Sequence, residues 1–133
     1  MKATFFVGRL LFGGFFLNNG INHLKNYKAL APYAASKGLP EPETAVLASG
    51  VVLAAGGASI VLGVKPKIGA AALIGFLAVA SGSMHDFWNS EDPAEKQNHL
   101  IHFSKNMALL GACLALAGVR EPWPASLDIA GLS

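Results

Sequence analysis

Four apolar segments, each close to the length that crosses a lipid bilayer, limit what this chain of 133 residues can fold into. They lie at approximately residues 4–22, 44–64, 68–85 and 100–119. A transmembrane helix needs about 20 mostly apolar residues to cross a hydrocarbon core of roughly 30 Å. We therefore predict an all-α fold. It is a single integral membrane domain over residues 1–133, a four-helix transmembrane bundle with both termini on the same side.

The composition supports this membrane class. Hydrophobic residues make up 53% of the chain and charged residues 14%, whereas soluble domains usually carry about 25% charged residues. The net charge of +2 gives no reason to expect a nucleic-acid partner. Cys113 is the single cysteine, which excludes an intramolecular disulfide and a dithiol relay within the chain. Its apolar surroundings predict a small buried packing residue.

The individual segments suggest different roles. The second and third are rich in Gly, Ala and Ser, so we expect them to pack closely as the scaffold of the bundle. The first carries Arg9 inside its apolar run and continues into LNNGIN where a small-residue cleavage site would stand. This pattern favours a retained helix over a signal peptide.

We expect Arg9 to extend to the lipid headgroups. The alternative is a pairing of Arg9 with the carboxyl end of the bundle or with a partner subunit.

Two links carry helix signals of their own. Residues 24–42 predict a short interfacial helix, or lid, between the first and second spans, since Pro32 can begin a helix and Gly38 can end one. The link before the fourth span contains Asp92-Pro93-Ala94-Glu95, a pattern typical of a capping box. We therefore predict that the fourth helix begins near Pro93, above the lipid.

The orientation in the membrane is only weakly indicated. The ten Lys and Arg residues divide equally between the two faces, so the positive-inside rule does not decide. Six of the eight acidic residues lie on the lid side, and VKPK resembles a tight cytoplasmic turn. We therefore expect a multi-pass protein of the bacterial inner membrane with cytoplasmic termini. Residues 120–133 form a predicted tail, in which Trp123 is expected to be an anchor at the membrane interface.

Polar side chains collect at one end of the predicted bundle. With four antiparallel spans, the end of the first helix, the end of the third and the start of the fourth all meet at the lid side. All four histidines of the chain lie there. Helical spacing lets three helices point polar groups into one pocket, and such groups are costly in a bilayer unless they face the protein interior or water. The predicted ligand-binding residues are Asn19, His23, His85, His102 and Asn106.

Several uses of this pocket remain open at the level of sequence. The histidines could lie in the headgroup layer, bonded to each other and to the lid. A quinone or small ligand could accept hydrogen bonds from His and Asn, with Phe87, Trp88 or Phe103 beside its ring. Acid–base chemistry by His85 and Asp86 is another alternative, although neighbouring helical residues point about 100° apart. The last is a haem or metal ion, for which the candidate ligands are His23, His85, His99 and His102.

As a set, four motifs of this chain resemble the DoxX family of small four-helix membrane proteins. The motifs are GRLLFGGFFLNNGINHLKNY in the first span, ASKGLP before the second, HDFW after the third and HFSKNMALLGACLALA in the fourth. The resemblance covers approximately Val7 to Ala117. Named members include the small subunit of a thiosulfate:quinone oxidoreductase and a membrane partner of thiol-handling and superoxide-handling enzymes. The resemblance implies a membrane redox role near quinone, and it carries over no catalytic residue.

Two hypotheses of different classes follow. In the first, the protein is a subunit or accessory of a membrane redox system, binds quinone in its His/Asn pocket and works with a membrane or soluble redox subunit. Whether it is itself an enzyme is left open. In the second, it is a non-catalytic assembly or stabilising subunit whose polar rim contacts a partner protein. Under either hypothesis the protein also contacts the lipid bilayer, and the small-residue faces of its helices permit it to form a homo-oligomer.

Overall fold

A computed structural model describes residues 2–126 of the chain. This part contains five α-helices, one 3₁₀ helix (Phe87–Asn89) and no strand. The predicted tail lies only partly inside it, because residues 127–133 are outside the described residues. The α-helices are α1 (Lys2–Lys25), α2 (Tyr27–Ser36), α3 (Pro42–Leu62), α4 (Pro66–Met84) and α5 (Pro93–Ala117).

The all-α class is confirmed, and the chain is an integral membrane protein by the length and hydropathy of its helices. Among the described residues, three helical segments are long and apolar enough to cross a membrane: Pro42–Leu62, Pro66–Asn89 and Pro93–Ala117. Their mean hydropathies are 2.2, 1.6 and 1.4. Helix α1 has 24 residues, but Arg9 interrupts its apolar run. Packing follows the order α1 on α3, α3 on α4 and α4 on α5.

Glycines let the backbones of α1 and α3 touch. A Cβ atom built on Gly20 of α1 would lie 2.3 Å from the backbone nitrogen of Ala54 and 2.7 Å from the carbonyl oxygen of Gly50. A Cβ built on Gly57 of α3 would lie 2.4 Å from the backbone nitrogen of Leu17. Such distances leave no room for any side chain. Small residues allow this approach because packing drives helix association in lipid, where no water is excluded between the helices.

The remaining helix contacts complete the scaffold that the sequence predicted. Gly69 of α4 packs against Ser59 of α3, whose hydroxyl donates to the carbonyl oxygens of Val64 (2.6 Å) and Lys65 (3.0 Å) and so holds the turn between the two helices. Helix α5 packs on α4 through Cys113, which is fully buried and donates its S–H to the carbonyl oxygen of Ala70 at 3.3 Å.

The two links differ in how well the sequence predicted them. Helix α2 begins at Tyr27, so Pro32 lies inside it and does not begin it. Only Asn26 separates α1 from α2, and its backbone N–H donates to the carbonyl oxygen of Asn22 at 2.9 Å, which continues the α1 pattern through the bend. Gly38, with φ of 82°, stands two residues beyond the end of α2 at Ser36, in line with the expectation that it ends the helix of the lid. Helix α5 begins at Pro93 as predicted, although the Asp92 side chain makes no capping hydrogen bond.

Arg9 binds the tail, at the end of the bundle opposite the lid. Its side chain is fully buried. The expectation that it extends to the headgroups is therefore wrong, and the alternative of a pairing with the carboxyl end of the bundle agrees with its contacts. The guanidinium donates to the carbonyl oxygens of Val61 (3.3 Å), Ala125 (2.9 Å) and Pro124. Trp123 is 2% exposed and packs with its ring 5.7 Å from the guanidinium carbon. It is therefore a buried contact of Arg9, and the prediction of an interfacial anchor is also wrong.

The helix contact at Gly20 is testable by adding one methyl group. Gly20→Ala should lower the free energy of unfolding by about 1–3 kcal/mol or more, because the new Cβ meets backbone atoms that cannot move aside. The matched control is Gly14→Ala on the same helix, where a Cβ meets no atom within 4 Å. Thermal loss of helical circular dichroism in mild detergent measures both variants. Equal stability of the two would contradict the close contact.

The docking of the tail on Arg9 is testable through the fluorescence of Trp123. In a Trp88→Phe background, the remaining tryptophan of the two in the chain reports on the tail alone. Arg9→Gln should shift its emission to the red, since carbonyl groups that lose a charged donor favour water. Arg120→Gln, at an exposed position of the same tail, serves as the control and should leave the emission unchanged. An unshifted spectrum in Arg9→Gln would mean that the arginine does not hold the tail.

Candidate functional site

A cavity of about 480 Å³ lies under the lid, between α1, α3, α4 and α5. Its volume is within the range of roughly 300–1,000 Å³ found for small-molecule sites. The apolar wall includes Phe16, Leu53 and Leu77, each 1% exposed. The lid contributes Leu30, Tyr33, Ala34 and Leu39. The cavity thus combines an apolar interior with a cover that comes from a separate short helix.

The polar groups of the cavity agree largely with those the sequence proposed. Asn19, His23, His85 and Asn106 all line it, whereas His102 does not. Asn106 is 7% exposed. Four further polar residues line the cavity that sequence reasoning missed: Tyr33, Ser49, Ser83 and Lys105. Lys105 is next to Asn106 in sequence and was visible as a candidate, but the contributions of the lid and of α3 depended on a helix register that the sequence did not reveal.

The hydrogen bonds of His23 assign its tautomer. Its Nδ1 lies 2.8 Å from the hydroxyl oxygen of Ser49, and that hydroxyl donates to the carbonyl oxygen of Val46 at 2.7 Å. Because the Ser49 proton is already used, the neutral imidazole donates from Nδ1 and Nε2 is its acceptor. Asn19 is also partly committed, since its amide nitrogen donates to the carbonyl oxygen of Phe15 at 2.8 Å.

Two side chains attach the lid to the end of α4. The Tyr33 hydroxyl donates to the carbonyl oxygen of Met84. The Lys37 ammonium contacts a carboxylate oxygen of Asp86 at 2.6 Å, and the other oxygen accepts from the Asn89 amide at 3.1 Å. The hydrogen bond to Asp86 raises the pKa of Lys37 above its ordinary value, so the ammonium stays charged at neutral pH. We call this Tyr33–Met84 and Lys37–Asp86 pair of contacts the lid latch.

Three of the four histidines form a cluster beside the cavity. The ring of His85 stacks on His102, with centroids 4.9 Å apart, and lies 5.8 Å from His99. His99 is 4% exposed and belongs to the buried face of α5 together with Asn106 and Cys113. The sequence analysis instead proposed His102 as the residue of this pair that faces the pocket. His102 therefore reaches the cavity only through its contact with His85.

The geometry gives less support to metal binding by the histidines and to acid–base chemistry by His85 and Asp86. Within residues 2–126, no group of three or more His, Cys, Asp or Glu side chains is arranged to hold a metal ion. His23 bonds to Ser49 and is separate from the histidine cluster. Asp86 pairs with Lys37, and no carboxylate of the described residues forms an ion pair with His85, in line with the expectation that these neighbours do not pair directly.

The aromatic side chains beside the cavity differ from those the sequence suggested. Phe87, Trp88 and Phe103 pack on one another, with ring centroids 5.1 to 5.8 Å apart, and none of them is among the residues that line the cavity. The aromatic residues in the lining are Phe15, Phe16, Tyr33 and Phe76. A planar ligand in the cavity would therefore contact aromatic rings of α1, α2 and α4.

Comparison with known proteins gives one result. The family model described as DoxX matches residues 4–86, which is more than half of the chain. The match includes α1 to α4 and therefore the lid latch, and it ends before α5. No curated protein and no solved structure matches the chain significantly.

The lid latch should control how often α2 opens. Lys37→Met should make the backbone amides of α2 exchange with deuterium about three- to fivefold faster, because a partly exposed ion pair contributes up to about 1 kcal/mol. Lys28→Met, which removes an exposed lysine within α2, is the control. The double variant Lys37→Asp/Asp86→Lys should restore part of the protection. The same exchange rate in Lys37→Met and Lys28→Met would rule out the ion pair as a latch.

Proposed function

The chain belongs to the DoxX family, and on that premise we propose that it is the ligand-binding subunit or accessory of a membrane redox system, with a quinone-class ring in the cavity under the lid. The single observation that supports this proposal is the cavity itself. It joins an apolar interior to polar groups that come from all five α-helices. A quinone has the same division, with an apolar body and carbonyl oxygens that accept hydrogen bonds.

The lining supplies what such a ring requires. The aromatic side chains of Phe15, Phe16 and Phe76 offer faces and edges to a planar ligand. The Asn106 amide and the Lys105 ammonium are donors on α5 that can reach a carbonyl oxygen. The Nε2 atom of His23 is an acceptor, suited to the hydroxyl of a reduced ring. The oxidised and reduced forms of one ligand could thus both be bound by groups already in place.

The proposal includes a topology for the protein. Helix α1 acts as the fourth span, and its 24 residues are enough for a bilayer crossing. Arg9 does not prevent this, because carbonyl oxygens of the tail and of Val61 accept hydrogen bonds from its two terminal nitrogens inside the protein. The termini then lie on one side, which we assign to the cytoplasm of a bacterial inner membrane, and the lid lies on the other. Electrons come from or go to a partner redox subunit.

Native mass spectrometry of the protein, gently extracted from its own membrane, tests this function directly. A bound quinone mass would support the proposal. A chain that carries only a partner subunit would favour the alternative of a non-catalytic assembly subunit. A chain with lipid alone would contradict the proposed ligand.

Quinone binding should depend on Asn106. Asn106→Leu should weaken the binding of a short-chain quinone about five- to tenfold, because it removes one hydrogen-bond donor at nearly constant volume. Asn18→Leu replaces an exposed asparagine of α1 that does not line the cavity, and it should bind as the wild type does. Equilibrium dialysis in detergent measures both affinities. Equal losses in the two variants would place the quinone outside this cavity.

A further inference from the structure

The charges that line the cavity have one sign. Among the described residues of the lining, Lys105 is the charged side chain and no residue is acidic. Carboxylates are nevertheless frequent at this end of the bundle. Asp86 is bonded to Lys37 at 2.6 Å, and Glu95, 60% exposed, lies 3.7 Å from the Nε2 atom of His99. Two of these carboxylates thus have a partner outside the cavity, and no described acidic residue is part of the lining.

Lys105 is placed to act on a ligand. Its side chain is exposed, and its ammonium lies 6.0 Å from the ring centroid of Phe15, another residue of the lining. Ion pairs within residues 2–126 involve other cations: Lys37 with Asp86, and His99 with Glu95 when that imidazole is protonated. An ammonium without a carboxylate partner, beside an apolar cavity, interacts more strongly with an anion than it would in bulk water.

The polar groups beside Lys105 also favour an anionic ligand. Asn106 brings an amide donor from the next position on α5, and His85 brings a ring that can donate. Below them the wall is apolar, with Phe16, Leu53 and Leu77 almost fully buried. The lining thus has donors and a cation at its polar end, and apolar surface over the rest. This arrangement suits an amphiphile whose head is an anion.

We propose that the cavity selects the anionic form of a quinone-class ligand: a ring with an ionised hydroxyl oxygen at Lys105 and an apolar tail along α1, α3 and α4. The assignment rests on the proposed function and narrows its ligand class. Binding involves no transfer of electrons, since the hydroxyl has already lost its proton to water before the ligand enters. An anionic lipid of the bilayer offers a similar charge, so the test must separate the two sources.

A matched pair of ligands provides the test. One is a 2-hydroxy-3-alkyl-1,4-naphthoquinone at a pH where its hydroxyl is ionised, and the other is the neutral 2-methoxy analogue with the same tail. Affinities are measured in phosphatidylcholine nanodiscs and corrected for partition into discs without protein. The anion should bind about tenfold or more tightly than the neutral analogue, as expected for a charge-assisted hydrogen bond.

Three variants assign the preference to Lys105. Lys105→Gln should abolish the preference, because the glutamine amide keeps a hydrogen-bond donor but carries no charge, and Lys105→Arg should keep it. Lys96→Gln removes another exposed lysine of α5 that does not line the cavity. It should behave as the wild type does, which controls for the loss of net charge.

Each other outcome decides against a defined part of the proposal. Equal or tighter binding of the methoxy compound overturns the anion preference and leaves quinone binding intact. A preference that survives in Lys105→Gln overturns the role of this lysine. Displacement of the hydroxyquinone by added phosphatidylglycerol, beyond its effect on partition, assigns the site to a lipid headgroup. Failure of both compounds to bind contradicts the proposed function itself. The comparison of the two ligands in the wild type needs no variant to fold.

Discussion

The backbone contact between α1 and α3 is the constraint on which the rest of this structure depends. In lipid no water is excluded when two helices meet, so they associate by close packing. Gly20 and Gly57 remove the side chains that would keep the helices apart, and a Cβ at either position would overlap the backbone of the other helix. Because α3 also holds α4 through the turn at Ser59, the tight pair fixes three of the walls around the cavity.

The fold was predictable as far as hydropathy and small residues determine it. Segment lengths gave the all-helical membrane class, and Pro93 gave the start of α5. The lid register was not predictable, because Pro32 is tolerated inside α2, where α1 and α3 support the helix. The burial of Arg9 was not predictable for a related reason. Its partners are backbone carbonyl groups of the tail and of α3. Every residue has such a group, so the sequence does not indicate which of them bind the arginine.

The residues of the candidate site also divide into those that the sequence predicts and those that only tertiary packing determines. Asn19, His23, His85 and Asn106 were predictable, because antiparallel topology brings the ends of α1 and α4 and the start of α5 to one side. His102 was assigned to the cavity from helical spacing alone, yet α5 turns His99 inward and leaves His102 against His85. A rotation of this kind depends on how α5 packs against α4, and only the assembled tertiary structure fixes it. The lining residues Tyr33 and Ser49 were missed because they depend on the same kind of information.

The buried site of Arg9 has a consequence for how the protein is made. The arginine is separated in sequence from the carbonyl groups of Pro124 and Ala125 by 115 and 116 residues. During synthesis α1 is therefore exposed to the translocation machinery long before those partners exist. Of its three carbonyl partners, Val61 alone has been synthesised before the tail emerges. The hydrogen bonds that hold α1 to the tail can thus form only after nearly all of the chain has been made, although α1 is the first helix to be synthesised.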